Sequence, residues 1–136
     1  MAVKISSKYL GDFRVTNTHG PSKCELITDA PTDNMGKGES FSPTDLLVSS
    51  LASCIITTMT IVAARENFDP GEITCEAEKH MSDDKPRRIS LIKLNFTLDT
   101  KLTAEQRQKL ESIATNCPVH HSLAPEVVRE VCFNYA

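Results

Sequence analysis

A chain of 136 residues, 40% hydrophobic and 24% charged with a net charge of −3, has the make-up of one ordinary globular domain spanning 1–136. That length can bury about two-thirds of its unfolded surface. The negative balance argues against nucleic acid as a partner, which would call for a basic stripe. Lys85, Arg87 and Arg88 are the one basic cluster, and beside Asp83 and Asp84 they read as a solvated hairpin tip.

Residues 3–28 read as strands. Val3, Ile5, Ser7 and Tyr9 alternate with Lys4, Ser6 and Lys8, the period of a half-buried strand. Leu10-Gly11-Asp12 is a turn, Phe13 to Thr16 a second strand, and Thr18 to Ser22 a break before a third strand at Cys24 to Thr28. An antiparallel meander is expected. Asp29 to Phe41 is then a thirteen-residue loop with two Gly, one Pro and no periodicity. Loops of that length in compact domains are usually functional or disordered. Because this one runs straight into the next helix, a functional loop is expected, with a plain surface connection as the alternative.

Ser42 to Glu66 reads as one long helix. Ser42 stands at the N-cap, Pro43 at the first helical position and Asp45 three residues after the cap, a capping box with a short acid. Nineteen residues from Leu46 to Ala64 carry no formal charge, and Asn67, Asp69, Pro70 and Gly71 end the run. About 20 apolar residues would span a bilayer. Six of these nineteen, however, are Ser or Thr, and neither flank has an aromatic anchor or a basic cluster, so no membrane is expected. The alternative is a central helix, wrapped by its own sheet or by a partner subunit.

After the helix, Ile73, Cys75 and Ala77 alternate on one strand, Ser82 to Pro86 turns the chain, and Ile92, Leu94, Phe96 and Leu98 point inward from a second strand. Thr103 to Gln106 is another capping box, opening a short helix with Leu110, Ile113 and Ala114 on its apolar stripe. Pro118 opens one further turn, and Val131, Phe133 and Tyr135 alternate on a last strand. The order β-β-β-α-β-β-α-α-β makes an α+β domain.

Five cysteines without a CxxC pair, behind an N-terminus lacking an apolar signal region, point to a reducing, cytoplasmic setting. A lone Cys in an apolar helix is most often a small buried hydrophobe. Cys54, though, has Ser50, Thr57 and Thr58 among its neighbours at three and four residues. Those hydroxyls form a candidate pocket face; buried hydroxyls either bond back to helix carbonyls or line a site. Cys117 precedes Pro118, where a thiol at a helix start would ionise more readily, and His120 could assist if turned inward. Cys24, Cys75 and Cys132 read as fillers on strands. Cys117 and His120 have the C-x-x-H spacing of a zinc half-site, but no second pair accompanies them, so no metal is expected. GxGxxG, Walker, GxSxG and HExxH motifs are absent, and no cofactor is expected.

SPTDLLVSSLASC, followed sixty-three residues after its cysteine by the Cys of NCPVHHSL, resembles the OsmC/Ohr family of osmotically inducible and organic-hydroperoxide-resistance proteins. The specific signs are Pro43 eleven residues before Cys54 on the long helix, and Cys117 in a Cys-Pro motif. The stretch from Asp29 to Leu46 is similar to the general OsmC-like branch. The resemblance implies antiparallel sheets around the long central helix and an intertwined homodimer with active sites at the subunit interface. It also implies a thiol peroxidase acting on organic hydroperoxides or hydrogen peroxide. Cys54 would be the attacking thiol, Cys117 the resolving one, and an external dithiol, a lipoyl group among the candidates, the reductant. The family pattern adds an arginine, Arg14 by position, held by a glutamate directly after the helix-opening Pro. Here that place is Thr44, so Asp45 or Glu39 would have to serve. The competing expectation is a non-catalytic small-molecule binding or stress protein of the same fold, without an activated thiol.

Overall fold

The first sheet is a three-stranded antiparallel meander in the order β1-β2-β3: β1 (Ile5–Gly11), β2 (Arg14–His19) and β3 (Glu25–Asp29). The computed structural model describes all of residues 1–136 and divides into two compact units, Met1–Leu46 and Leu47–Ala136. In the first unit, β1 and β2 join through a two-residue turn in which Asp12 (φ 52°) and Phe13 (φ 63°) are both left-handed. That is the turn whose twist suits a hairpin, although Phe has no steric licence for it. The alternation in β1 predicts a half-buried strand. Instead Ile5, Tyr9 and Leu10 on β1, and Val3 before it, are all exposed.

The stretch from Asp29 to Phe41 is folded back on β3. A 3₁₀ turn covers Thr32–Asn34, and the amides of Asn34 and Gly36 both donate to the Pro31 carbonyl. Gly36 is obligatory: a Cβ there would lie 1.6 Å from the Ala30 carbonyl oxygen. Ser40 Oγ donates to Ile27 O at 2.7 Å, and Asp29 N donates to Phe41 O at 3.0 Å. The loop is thus tied to β3 at both ends.

Helix α1 (Pro43–Arg65) starts and stops on its sequence signals. Ser42 Oγ accepts from Asp45 N at 3.1 Å while Asp45 Oδ2 accepts from Ser42 N at 2.9 Å, the reciprocal capping box. At the other end Asn67 is left-handed (φ 58°), Phe68 N donates to Ala63 O and Asn67 N to Ala64 O, a Schellman arrangement.

In the second unit, α1 buries one stripe, Val48, Leu51, Ile55, Met59 and Ala63, at spacings of three and four. This stripe shares a core with β5 (Ile89–Leu98), which buries Ile92, Leu94, Phe96 and Leu98. Strand β4 (Thr74–Met81) pairs antiparallel with β5, as a hairpin requires. Helix α2 (Ala104–Ser112) has the Thr103–Gln106 capping box, a 3₁₀ turn follows at Ile113–Thr115, and α3 (Pro118–Ser122) is one further turn. The last strand, β6 (Val128–Tyr135), lies on the other side of β5 in the order β4-β5-β6.

The α+β class and the element order stand as read from the sequence. Where only antiparallel sheets are expected, however, β6 runs parallel to β5, with Leu91 opposite Val128 and Leu98 opposite Tyr135. The reason is the connection: α2 and α3 carry the chain back past β5 before β6 begins, and such a crossover delivers a parallel strand.

Phe96 is fully buried and stacks on Phe133 of the neighbouring strand, ring centroids 5.5 Å apart. Phe96→Ala should therefore lower the unfolding free energy by about 3–5 kcal/mol in urea titrations, the range for deleting a buried aromatic side chain.

Candidate active site

Cys54 lies one residue before Ile55 on α1. It is half-buried, at the margin of the buried stripe, and packs against the core. Cys117 is 1% exposed and belongs to that core. It is the N-cap of α3, its sulfur accepting from His120 N at 3.4 Å. The two thiols share this core and interact electrostatically, Cys54 being among the causes that raise the Cys117 pKa. Both thiols are free.

Its place at the start of α3 leads one to expect that Cys117 ionises easily; the opposite holds. Burial pushes its pKa up, the amides of His120 and Val119 offset this only in part, and the hydrogen bond with Cys54 pushes it up further. Cys117 thus holds its proton more firmly than an ordinary thiol. The His120 contribution comes from its main chain. Its imidazole is held below the usual histidine range by burial first, then by the charge of Arg129 and by His121, and its Nδ1 has no hydrogen-bond partner.

Two of the hydroxyls near Cys54 are spent on the helix itself. Ser50 Oγ donates to Leu47 O and Thr58 Oγ1 to Cys54 O, each at 2.7 Å, while Thr57 is exposed and its carbonyl accepts from Thr60. Back-bonding is thus what Ser50 and Thr58 do with their protons. Cys75, on β4, is half-buried and its pKa is raised, chiefly by burial; Cys24 and Cys132 are exposed.

The first unit holds a separate charged cluster. Arg14 Nη2 donates to Glu39 Oε2 at 2.5 Å and lies 3.8 Å from Asp29 Oδ2. The Glu39 bond, above all, raises the guanidinium's pKa further, so it is charged throughout the working range. Of the two carboxylates named as candidates for this arginine, Glu39 is the one paired with it. Asp45 is engaged by the backbone of Ser42 in the helix cap. Asp29 is the residue sequence reasoning passed over, since a charged residue at a strand end gives no sign that it will be buried. The available signal was its register opposite Arg14 across an antiparallel pair.

The family model OsmC, an OsmC-like protein, matches residues 36–131. A solved structure from Psychrobacter arcticus 273-4, of a protein assigned to osmotic-stress induction and the detoxification response, is 39% identical, with a TM-score of 0.89 over 96% of this chain and 94% of that one. The chain belongs to the OsmC-like family, the one that the Pro43, Cys54 and Cys117 pattern resembles. The fold is also that of the OsmC-like protein of Mycoplasma pneumoniae (16% identity, TM-score 0.78, 100% and 96% of the two chains). It recurs in the organic hydroperoxide resistance protein OsmC of Legionella pneumophila (15% identity, TM-score 0.77, 98% and 97%). Among the curated proteins, none matches this sequence.

A raised pKa means less thiolate at a given pH and slower alkylation below the shifted value. Iodoacetamide should therefore modify exposed Cys24 and Cys132 before Cys117, and the pH midpoint for Cys117 should lie above the ordinary thiol value of about 8.5. In Cys54→Ala that midpoint should move down, because both contributions of Cys54 to the raised pKa are gone. Peptide mass spectrometry of samples quenched across pH 7–11 (about four units around that value) reads both effects.

Proposed function

We propose that this protein is a thiol-dependent peroxidase that reduces organic hydroperoxides or hydrogen peroxide. The observation that carries the proposal is that partly open Cys54 packs against the same core that buries Cys117. A thiol that attacks peroxide needs a second thiol beside it to trap the sulfenic acid before further oxidation. Cys54 is partly open and can meet a small peroxide; Cys117 is enclosed and meets only Cys54. The names of the Legionella pneumophila and Bacillus subtilis proteins that share the fold, organic hydroperoxide resistance proteins, point the same way.

The steps balance as follows. The Cys54 thiolate attacks one oxygen of ROOH, the O–O bond breaks, and the alkoxide leaves and takes a proton as ROH; Cys54 becomes a sulfenic acid. The Cys117 sulfur attacks the Cys54 sulfur, hydroxide leaves, and with the Cys117 proton it departs as water, closing a Cys54–Cys117 disulfide. A dithiol, such as a dihydrolipoyl group, then exchanges with that disulfide and is itself oxidised, returning both thiols. Arg14, kept charged by Glu39, is the cation assigned to the Cys54 thiolate. Such a partner favours the nucleophilic form of a thiol.

The working form in this proposal is a homodimer. Ile5, Tyr9, Leu10, Phe13, Leu26 and Ile27 are large apolar side chains exposed on the first sheet and its turn, and Leu47 and Ile61 are exposed on α1. Exposed apolar side chains of this size favour an interaction surface, and a second copy of the chain would cover them.

The test is consumption of cumene hydroperoxide with a dithiol as reductant. Cys54→Ser should fall to the uncatalysed background. Cys117→Ser should complete one turnover and then slow by about tenfold or more, its sulfenic acid left for the bulk thiol to find. Equal, slow consumption by wild type and Cys54→Ser would defeat the enzyme reading in favour of a binding protein.

A further inference from the structure

Strands β2 and β3 pair so that Arg14 stands directly opposite Asp29. Arg14 therefore faces two carboxylates, and they are held differently. Glu39 takes the direct bond, but its side chain is 57% exposed and it belongs to the loop after β3. Asp29 is 1% exposed and sits in the sheet ladder. Its Oδ2 accepts from Glu39 N at 3.1 Å, so the same carboxylate that faces Arg14 also holds the backbone of Glu39. Its Oδ1 is buried with no hydrogen-bond partner.

A buried carboxylate with one oxygen unsatisfied is expensive. Holding the Glu39 amide does not require that expense, since an asparagine oxygen would accept the same bond. What a neutral side chain cannot supply is negative charge beside Arg14. We propose that Asp29 is a positioning residue for peroxide reduction: it is the fixed counter-charge that keeps the Arg14 guanidinium at the sheet, and the anchor that keeps Glu39 against it. When the exposed Glu39 carboxylate exchanges with water, Arg14 stays beside Asp29 instead of swinging into solvent. The role rests on the assignment of Arg14 to the Cys54 thiolate.

The experiment is a double-mutant cycle on the full chain with Arg14→Gln, Asp29→Asn and the pair, read as the second-order rate constant for Cys54 oxidation by cumene hydroperoxide in single turnover. Asp29→Ser, neutral and smaller but still offering an oxygen, is a second variant in case the Asn protein does not fold. Neutralising Asp29 should slow oxidation by about tenfold in the wild-type background and by nothing further in the Arg14→Gln background, the signature of two residues acting through one interaction. Urea unfolding of the same four proteins supplies the other axis: the destabilisation from Asp29→Asn should shrink when Arg14 is already gone. A merely structural Asp29 would shift unfolding alike in both backgrounds and leave the rate constant of the folded protein unchanged, which overturns the proposal. If Arg14→Gln reacts at the wild-type rate, the assignment of Arg14 fails and the role of Asp29 fails with it. If Arg14→Gln is slow and Asp29→Asn is not, the role of Asp29 alone fails.

Discussion

The packing of Val48, Leu51, Ile55 and Met59 against Ile92, Leu94, Phe96 and Leu98 sets the rotation of α1 about its axis, and the placement of the thiols depends on that rotation. Cys54 precedes Ile55 by one residue, about 100° around the helix, so it falls at the edge of the buried stripe. A turn of the helix by one position would either drown the thiol in the core or lift it away from Cys117. The other half of the pair is fixed by the same core: Ile113 and Ala114 are buried, and Cys117 follows them into it just before α3 begins. Dispersion and burial thus do the positioning, and the capping box at Ser42 and Asp45 only decides where the helix starts.

The charged cluster of the first unit is a different kind of construction. Arg14 sits on a sheet strand, Asp29 opposite it, and Glu39 on a loop stitched back to β3 by Ser40, Phe41 and the Gly36 turn. Family pattern places the arginine's carboxylate directly after the helix-opening Pro, where this chain has Thr44. The structure supplies a carboxylate from five residues earlier instead. The hydrogen bonds of Glu39, Ser40 and Phe41 give the thirteen-residue loop a fixed course back along β3.

Much of this was legible beforehand, and the rest was hidden for definite reasons. Ser42, Asp45 and Asn67 announce the limits of α1 because caps are local chemistry, and Ile92 to Leu98 announce a buried strand because period two is local geometry. The direction of β6 was not legible, since it depends on the path taken by α2 and α3. The high pKa of Cys117 was missed because a helix start near a thiol can be read from Cys-Pro, whereas its burial and the neighbouring Cys54 cannot. Ser50 and Thr58 looked like pocket residues for the same reason: sequence shows that hydroxyls are present, not which carbonyl they reach. Asp29 needed both a strand register and the return of a loop to become a buried carboxylate, and neither is written at position 29.

The most direct measurement is intact-mass and peptide mapping of the reduced protein after one equivalent of cumene hydroperoxide, quenched by acid alkylation. The account predicts loss of two hydrogens and a single new cross-link joining the Cys54 and Cys117 peptides, with Cys24, Cys75 and Cys132 still alkylated. A Cys54 that remains reduced and alkylated while peroxide persists would contradict it and leave a binding protein on an OsmC-like fold.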